Sequence, residues 1–363
     1  MTSEMAIGAQ YKAALVADMD TGQVLYQENS NQLNYPASLT KIMTLYLTFD
    51  ALEHGRLHLD DYLIVSQSAA NASPVKLGLS AGSKIKVEDA IKALAVHSAN
   101  DVARVLAENL KGGKEGNFAS LMTNVATQIG LSRTNFENSS GLPDDDQLST
   151  ARDIALLSMA VYKHFPQYWK YFGIKSWSYN GKTYNNGNRL LESYPGCDGM
   201  KTGFTSKSKY SLVATAKRGN KRLMSVVLGA SNKDVRAAVS IKMLDKGFSM
   251  VKIGAAPVVV QTASYDEDEE EFVTQTPAIV QKTWVASGVK YGNSGVQFGA
   301  FASRSGAQSQ QARIKGILGI STNIEPAPNG MFRVRANGLS DTAAGKLKSD
   351  AASAGIDSYI FHL

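Results

Sequence analysis

The order of apolar and polar positions divides the chain into two patterned stretches. Ala13-Ala14-Leu15-Val16-Ala17 is an apolar run, Asp20-Thr21-Gly22 supplies turn residues, and Gln23-Val24-Leu25-Tyr26 returns, which predicts a strand hairpin. After Tyr35-Pro36-Ala37-Ser38, the positions Leu39, Ile42, Met43, Leu45, Tyr46 and Phe49 follow mostly helical spacing, with Ser38 at the helix start. Further helical patterns cover Val87–Val96, Asp101–Leu110 and Phe118–Ile129, and another begins at Thr150, with Asp153 completing a capping box. Two apolar runs, Tyr210–Ala216 and Arg222–Leu228, flank the turn pair Gly219-Asn220, and Val235–Met250 returns to helix. Strand, helices, strands and helix in that order predict a sheet built from both ends of the segment with helices packed on it.

Residues 251–291 break the pattern with the acidic run Asp266–Glu271, Pro257 and Pro277, and read as a connector. A compact unit then begins: strand Val296–Phe301, a helix from Ser305 to Leu318, strands Ile320–Ile324 and Phe332–Arg335 around Pro328-Asn329-Gly330, a helix Ser340–Ala354 and strand Ile356–His362. That βαββαβ order buries one face of a small sheet under two helices. The fold class expected is α/β in the α+β sense: an antiparallel sheet flanked by helices over 1–250, and a ferredoxin-like unit over 292–363.

Composition refines this division. The chain has 363 residues, 44% hydrophobic and 19% charged, with net charge +6 distributed as +6 over 1–250, −3 over 251–291 and +3 over 292–363. One cysteine, Cys197, excludes an internal disulfide and multi-cysteine metal sites, and reads as an inert packed thiol. His54 and His58 stand four apart, but Gly55 lies between them and no Glu follows His54, so no metal is expected. No apolar run is long enough for a transmembrane segment, and the modest basicity does not call for nucleic acid.

The candidate chemistry lies in three short motifs. Ser38-Leu39-Thr40-Lys41 places a hydroxyl and an amine on one helical face, near backbone N–H groups at a helix N-terminus. A lysine held dry beside other cations releases its proton more readily and can serve as a base. Ser-x-x-Lys alone is uninformative, since it occurs six times, at Ser38, Ser73, Ser83, Ser206, Ser249 and Ser287. Ser98-Ala99-Asn100 lies between two helical patterns, where Ser98 could also cap the helix starting near Asp101. Lys201-Thr202-Gly203 occurs once, just before the strand hairpin; its glycine would let a substrate backbone approach, while read structurally it is a turn before a strand.

Ser-x-x-Lys, Ser-x-Asn and Lys-Thr-Gly in this order are the set used by penicillin-recognising serine enzymes. Over residues ~10–250 the chain resembles the low-molecular-weight D-alanyl-D-alanine carboxypeptidases, through YPASLTKIMT, HSANDVARVLAE, NSSGLP, LSTARDIALL, CDGMKTGFT and YSLVATAKR. The resemblance implies Ser38 as nucleophile, Lys41 as acylation base, Ser98 as proton relay to the leaving amine, and Asn100 as holder of the substrate amide and Lys41. It implies Lys201 and Thr202 as receivers of the terminal carboxylate, and backbone N–H groups of Ser38 and Phe204, the residue after Gly203, as the oxyanion hole. Family members often carry His where Phe204 stands, and Ser206-Lys207-Ser208-Lys209 adds charge at the site edge. A class A β-lactamase would share the three motifs, but no Glu-x-x-x-Asn occurs between Ser98 and Lys201. A third reading is a glycan-binding scaffold that no longer turns over.

Residues 292–363 resemble a SPOR domain, through Gly295-Val296-Gln297-Phe298-Gly299-Ala300-Phe301 and Phe332-Arg333-Val334-Arg335. Gln297 and Arg333 or Arg335 are the implied sugar contacts, though alternation alone would also expose the arginines. The resemblance implies peptidoglycan stem peptides, denuded glycan strands and β-lactam antibiotics as partners, no cofactor, and a periplasmic, septum-enriched location after removal of a signal. Endopeptidase action on cross-links would use the same bond chemistry.

Overall fold

The computed structural model describes residues 10–252, 294–320, 322–326, 331–339 and 341–362. They fall into two compact units. From Ala13 the chain runs β1 (Ala13–Asp18), β2 (Val24–Glu28), a 3₁₀ turn Ala37–Thr40, α1 (Lys41–Glu53), β3 (Tyr62–Ile64), α2 (Gln67–Ala70), β4 (Lys84–Lys86) and α3 (Val87–Lys92). A π-helical turn Ala93–His97 leads into α4 (Asn100–Leu110), α5 (Glu115–Gln128) and α6 (Ala151–His164). A 3₁₀ segment then precedes β5 (Ser176–Tyr179), β6 (Lys182–Asn185), α7 (Leu190–Ser193), β7 (Cys197–Thr205), β8 (Lys209–Arg218), β9 (Lys221–Ala230) and α8 (Lys233–Lys252).

Five strands form one antiparallel sheet in the order β2-β1-β9-β8-β7, so both ends of the segment contribute, as expected. Val239, Met243, Leu244 and Phe248 of α8 pack on Ala14, Val16, Leu212, Ala214, Leu223 and Val227 of the sheet. The sheet also meets α6 through β1 and β9. With cover on both faces, β8 and β9 bury consecutive residues, which is why they read as unbroken apolar runs rather than alternating ones. Helix α1 is buried from Lys41 through Ala51, the behaviour of a central helix surrounded by protein.

Several expectations shift. Lys201-Thr202-Gly203 lies within strand β7 rather than in a turn before the hairpin; Gly199, Gly203, Asp198 and Lys201 dilute the apolar signal of that strand. The helix expected over Val87–Val96 is α3 followed by the π-helical turn. Thr150 does cap α6, accepting the Asp153 N–H at 3.0 Å. The Asp153 carboxylate does not complete the box, because it accepts from Arg133 N–H and the Thr134 hydroxyl instead.

The second unit orders its strands β11-β12-β10-β13, with β10 (Ser294–Phe301), β11 (Asn323–Pro326), β12 (Phe332–Leu339) and β13 (Tyr359–His362) all antiparallel. Helices Arg304–Leu318 and Asp341–Ser353 cover one face, burying Val296, Phe298, Ala307, Ile314, Val334, Ala336, Ala344 and Ala351. The βαββαβ order is the one expected, although β11 starts three residues later than the pattern suggested. Apart from Val251 and Lys252 at the end of α8, the acidic stretch expected as a connector lies outside the described residues, as does the turn Pro328-Asn329-Gly330.

Candidate active site

Ser38 sits in the short 3₁₀ turn that precedes α1, so Lys41, three residues on, falls on the same side. The turn lies directly against β7 and the loop before α6. A Cβ on Gly203 would stand 3.1 Å from Pro36 O and 3.4 Å from both Ala37 Cβ and Leu39 Cγ. Gly203 therefore allows close contact between the strand and the Ser38 turn, and it also lines the cleft. Gly141 has φ +86° and would place a Cβ 1.8 Å from Ala37 O, so no side chain fits there either.

The Lys41 side chain is fully buried. Its Nζ donates to Asn100 Oδ1 at 2.8 Å and to Ser140 O at 2.5 Å, and lies 3.1 Å from Ser38 Oγ. Burial drives the Lys41 amine well below the usual lysine range; Lys201 pushes it the same way, and Glu115 and Asp101 oppose them. A neutral amine has two N–H groups and one lone pair. With both N–H groups on carbonyl oxygens, the lone pair is left for the Ser38 hydroxyl.

Ser98 closes the π-helical turn in the left-handed region, with φ 65° and ψ 34°. A non-glycine residue held there carries local strain of the kind found at functional sites. The capping alternative fails: Ala99, without a side-chain cap, is the N-cap of α4. Ser98 Oγ instead accepts from Lys201 Nζ at 2.9 Å, and Lys201 also donates to Thr202 O at 3.1 Å. Burial, aided by Arg236, lowers the Lys201 amine to about 7. Asp101 fastens the facing wall by accepting the N–H groups of Leu77, Gly78 and Leu79.

Ser38, Ser98, Thr202, Gly203 and Phe204 open onto one cleft of about 690 Å³. Asn100 and Lys41 lie behind it, joined to it through Ser38. Phe204 is 52% exposed and packs on Tyr210 with the rings tilted by 34° and their centroids 4.4 Å apart, forming an aromatic edge to the cleft. Cys197, at the start of β7, is half-buried and its thiol is pushed up to about 11 by burial, as suits an unreactive residue.

Sequence motifs did not disclose two parts of this arrangement. Arg236 of α8 lines the cleft almost completely buried, its Nε without a hydrogen-bond partner and its guanidinium lowered to about 10 by burial and by Arg189. Exposed Arg189 and Lys233 line the cleft with it, so this side is cationic. Ser140 was also missed as a partner of Lys41, because it contributes only a backbone carbonyl. The NSSGLP segment was the one available signal for Ser140; Arg236 lies 34 positions past Thr202 with none.

In the second unit, Gln297 and Arg335 are paired across β10 and β12 on the face away from the helices. Arg335 Nε donates to Gln297 Oε1 at 2.7 Å, its Nη1 lies 3.2 Å from Glu325 Oε2, and its guanidinium stacks 4.2 Å over Phe361. Arg333 lies two positions along β12 on the same face, opposite Glu325 of β11. The structure thus joins Gln297 to Arg335, and leaves Arg333 beside them.

The fold, with Ser38, Ser98 and Thr202 opening onto one cleft, is that of the penicillin-binding class. The chain belongs to the D-alanyl-D-alanine carboxypeptidase peptidase family, whose model matches residues 1–232, and a SPOR domain matches residues 290–361. It is 38% identical over 253 residues to D-alanyl-D-alanine carboxypeptidase DacF of Bacillus subtilis, covering 68% of this chain and 64% of that one. With D-alanyl-D-alanine carboxypeptidase DacC of Escherichia coli it shares 38% identity over 244 residues, 65% of this chain and 61% of the relative. The chain therefore spans a little under two thirds of the length of these relatives. Among solved structures it resembles penicillin binding protein 5 from Haemophilus influenzae, with TM-score 0.64, 34% identity, and coverage of 69% of this chain and 73% of that one. It also resembles ampicillin-bound penicillin-binding protein D2 from Listeria monocytogenes, with TM-score 0.61, 31% identity, and coverage of 68% and 100%.

Proposed function

We propose that this chain is a serine-type D-alanyl-D-alanine carboxypeptidase that removes the terminal D-alanine from peptidoglycan stem peptides through an acyl-enzyme. The observation that carries the reading is the Lys41 amine, whose two N–H groups are taken by Asn100 and Ser140 while Ser38 Oγ lies 3.1 Å away. Lys41 removes the Ser38 proton as Ser38 Oγ attacks the carbonyl between the two D-alanines. Negative charge develops on that carbonyl oxygen and is met by the N–H groups of Ser38 and Phe204. Ser98, hydrogen-bonded to Lys201, passes a proton to the departing amine. Thr202 and Arg236 receive the terminal carboxylate, the buried and unpartnered Arg236 Nε favouring an anionic ligand. Water then hydrolyses the ester at Ser38.

β-Lactams are covalent inhibitors on this reading, entering the same acylation step. D-Alanine release from a stem-peptide mimic, with mass mapping of a penicillin adduct, tests it. The expected outcome is an adduct on Ser38 and loss of both adduct and release in Ser38→Ala. An adduct elsewhere, or full activity in Ser38→Ala, refutes it.

We further infer a division of labour: residues 1–250 for catalysis, 251–291 as an acidic tether, and 292–363 as a module for denuded glycan strands. The cell-envelope setting of both ligands supports a periplasmic, septum-enriched location. The Gln297–Arg335–Phe361 cluster supports the glycan site, since a guanidinium and an aromatic ring together offer hydrogen bonds and an apolar face. Retention of the full chain on denuded glycan is expected to fall in Arg335→Ala while D-alanine release is kept. Unchanged retention removes the assignment.

A further inference from the structure

Behind the Ser140 carbonyl lies a half-buried acidic residue that the reaction scheme does not use. Glu115, the first residue of α5, accepts the Ser139 N–H at 3.1 Å and the Ser139 hydroxyl at 2.5 Å through one oxygen. Its second oxygen accepts from Arg104 Nε at 2.7 Å. The carbonyl of Ser139 is held from the other side by the Thr44 hydroxyl at 2.6 Å, and Thr44 stands one position short of a turn beyond Lys41 on α1. The following residue, Ser140, presents its carbonyl to Lys41 Nζ. Glu115 and Thr44 thus clamp Ser139, the residue next to the one whose carbonyl orients the amine.

We propose that Glu115 is a positioning residue, holding the Ser139–Ser140 backbone so that the Ser140 carbonyl takes one Lys41 N–H and the lone pair points at Ser38. A carboxylate suits this task better than a neutral group. It can accept the amide and hydroxyl of Ser139 on one oxygen and still satisfy Arg104 on the other. Asn138 Oδ1 also holds the Ser140 and Gly141 N–H groups at 3.2 and 2.8 Å, so without the clamp the Ser140 carbonyl is loosened rather than released, and Lys41 more often turns a hydrogen instead of its lone pair toward Ser38. The inference rests on the carboxypeptidase reading, in which Lys41 is the base.

The charges facing Lys41 are Lys201 from β7, Asp101 from α4 and Glu115 itself, with Arg104 against Glu115. Glu115 favours the protonated amine and Lys201 disfavours it. Removing the Glu115 charge therefore lowers the Lys41 pKa further, and the acid limb of the acylation profile moves to lower pH.

The test is the rate of Ser38 acylation by benzylpenicillin as a function of pH, in wild type, Glu115→Gln and Ser139→Ala. Glu115→Gln is expected to lower the plateau rate roughly 10- to 100-fold and to move the acid limb to lower pH. Ser139→Ala, which keeps the carboxylate and loses one of its hydrogen bonds, lowers the plateau less and leaves the limb in place. A merely structural Glu115 would lower the melting temperature and leave both kinetic readouts within twofold of wild type, and that result overturns the proposal. If wild type itself is not acylated on Ser38, the carboxypeptidase reading fails, and the role given to Glu115 fails with it.

Discussion

At the scale of single residues, the site is an arrangement of amines kept short of water. Lys41 and Lys201 are both buried, and each is satisfied by hydroxyl and carbonyl oxygens rather than by a carboxylate. An ion pair would have raised their pKa values; oxygens of neutral groups leave burial free to lower them. Arg236 supplies a third cation at the cleft, the one the proposed function gives to the substrate carboxylate. Arg236→Gln is expected to weaken binding of a peptide ending in carboxylate by about 1.5–3 kcal/mol, the worth of a hydrogen bond to a charged group. Comparing KM for that peptide with KM for its C-terminal amide checks it: wild type should prefer the acid, and the variant should lose the preference. Of these residues, Lys41 and Lys201 were legible because they sit in motifs whose order is informative. Arg236 was not, since a single arginine on a helix carries no periodic or spacing signal and reaches the cleft only through the packing of α8 on the sheet.

At the scale of elements, two close approaches explain more than the motifs do. The Ser38 turn is pressed between Gly203 of β7 and Gly141 of the loop before α6. Gly141→Ala would need both a disfavoured φ and a displaced Ala37 carbonyl, so it is expected to cost several kcal/mol of stability or to move Ser38, lowering penicillin acylation. Denaturant titration and acylation kinetics on the same sample measure the two effects. The end of α6 supplies a pH-dependent prediction. His164 accepts or donates to Tyr46 OH at 2.9 Å, and burial, with a smaller push from Lys163, lowers its pKa in the folded protein. The unfolded chain then binds the proton more readily, so stability is lost as pH falls from about 6.5 toward the folded value. His164→Gln should flatten the melting temperature between pH 7 and 5 relative to wild type. Helices and paired strands were legible where apolar residues recur. Strand β7 was not, because Gly199, Lys201 and Gly203 break its apolar pattern; the hairpin β5–β6 was passed over although Ser176–Tyr179 alternates and Asn180-Gly181 is a turn pair, because its strands are only four residues long.

At the scale of the whole molecule, the chain joins a fold of the penicillin-binding class to a small SPOR fold, each with its own buried core. Separate cores predict separable losses. Lys41→Ala should abolish D-alanine release with glycan retention intact, and Gln297→Ala should weaken retention with release intact; a pull-down and an amino-acid assay on both variants check this pairing. The hairpins β1–β2, β8–β9 and β11–β12 were legible from turn residues between apolar runs, whereas the long-range pairings β1–β9, β10–β12 and β10–β13 carry no local signal. The cationic cleft was not legible, since it is assembled from segments far apart in the chain.

One consequence of the sheet order concerns length measurement. Strand β7 is the last in the order β2-β1-β9-β8-β7, with Ser38 beside Gly203 and the cationic side of the cleft next to Thr202. An extended peptide laid along that outer strand behaves as a sixth strand and advances about 3.3 Å per residue. With its terminal carboxylate fixed at one end, the sheet edge becomes a ruler. On the proposed carboxypeptidase function, it would bring the last peptide bond to the serine, and a chain one residue longer would present the wrong carbonyl.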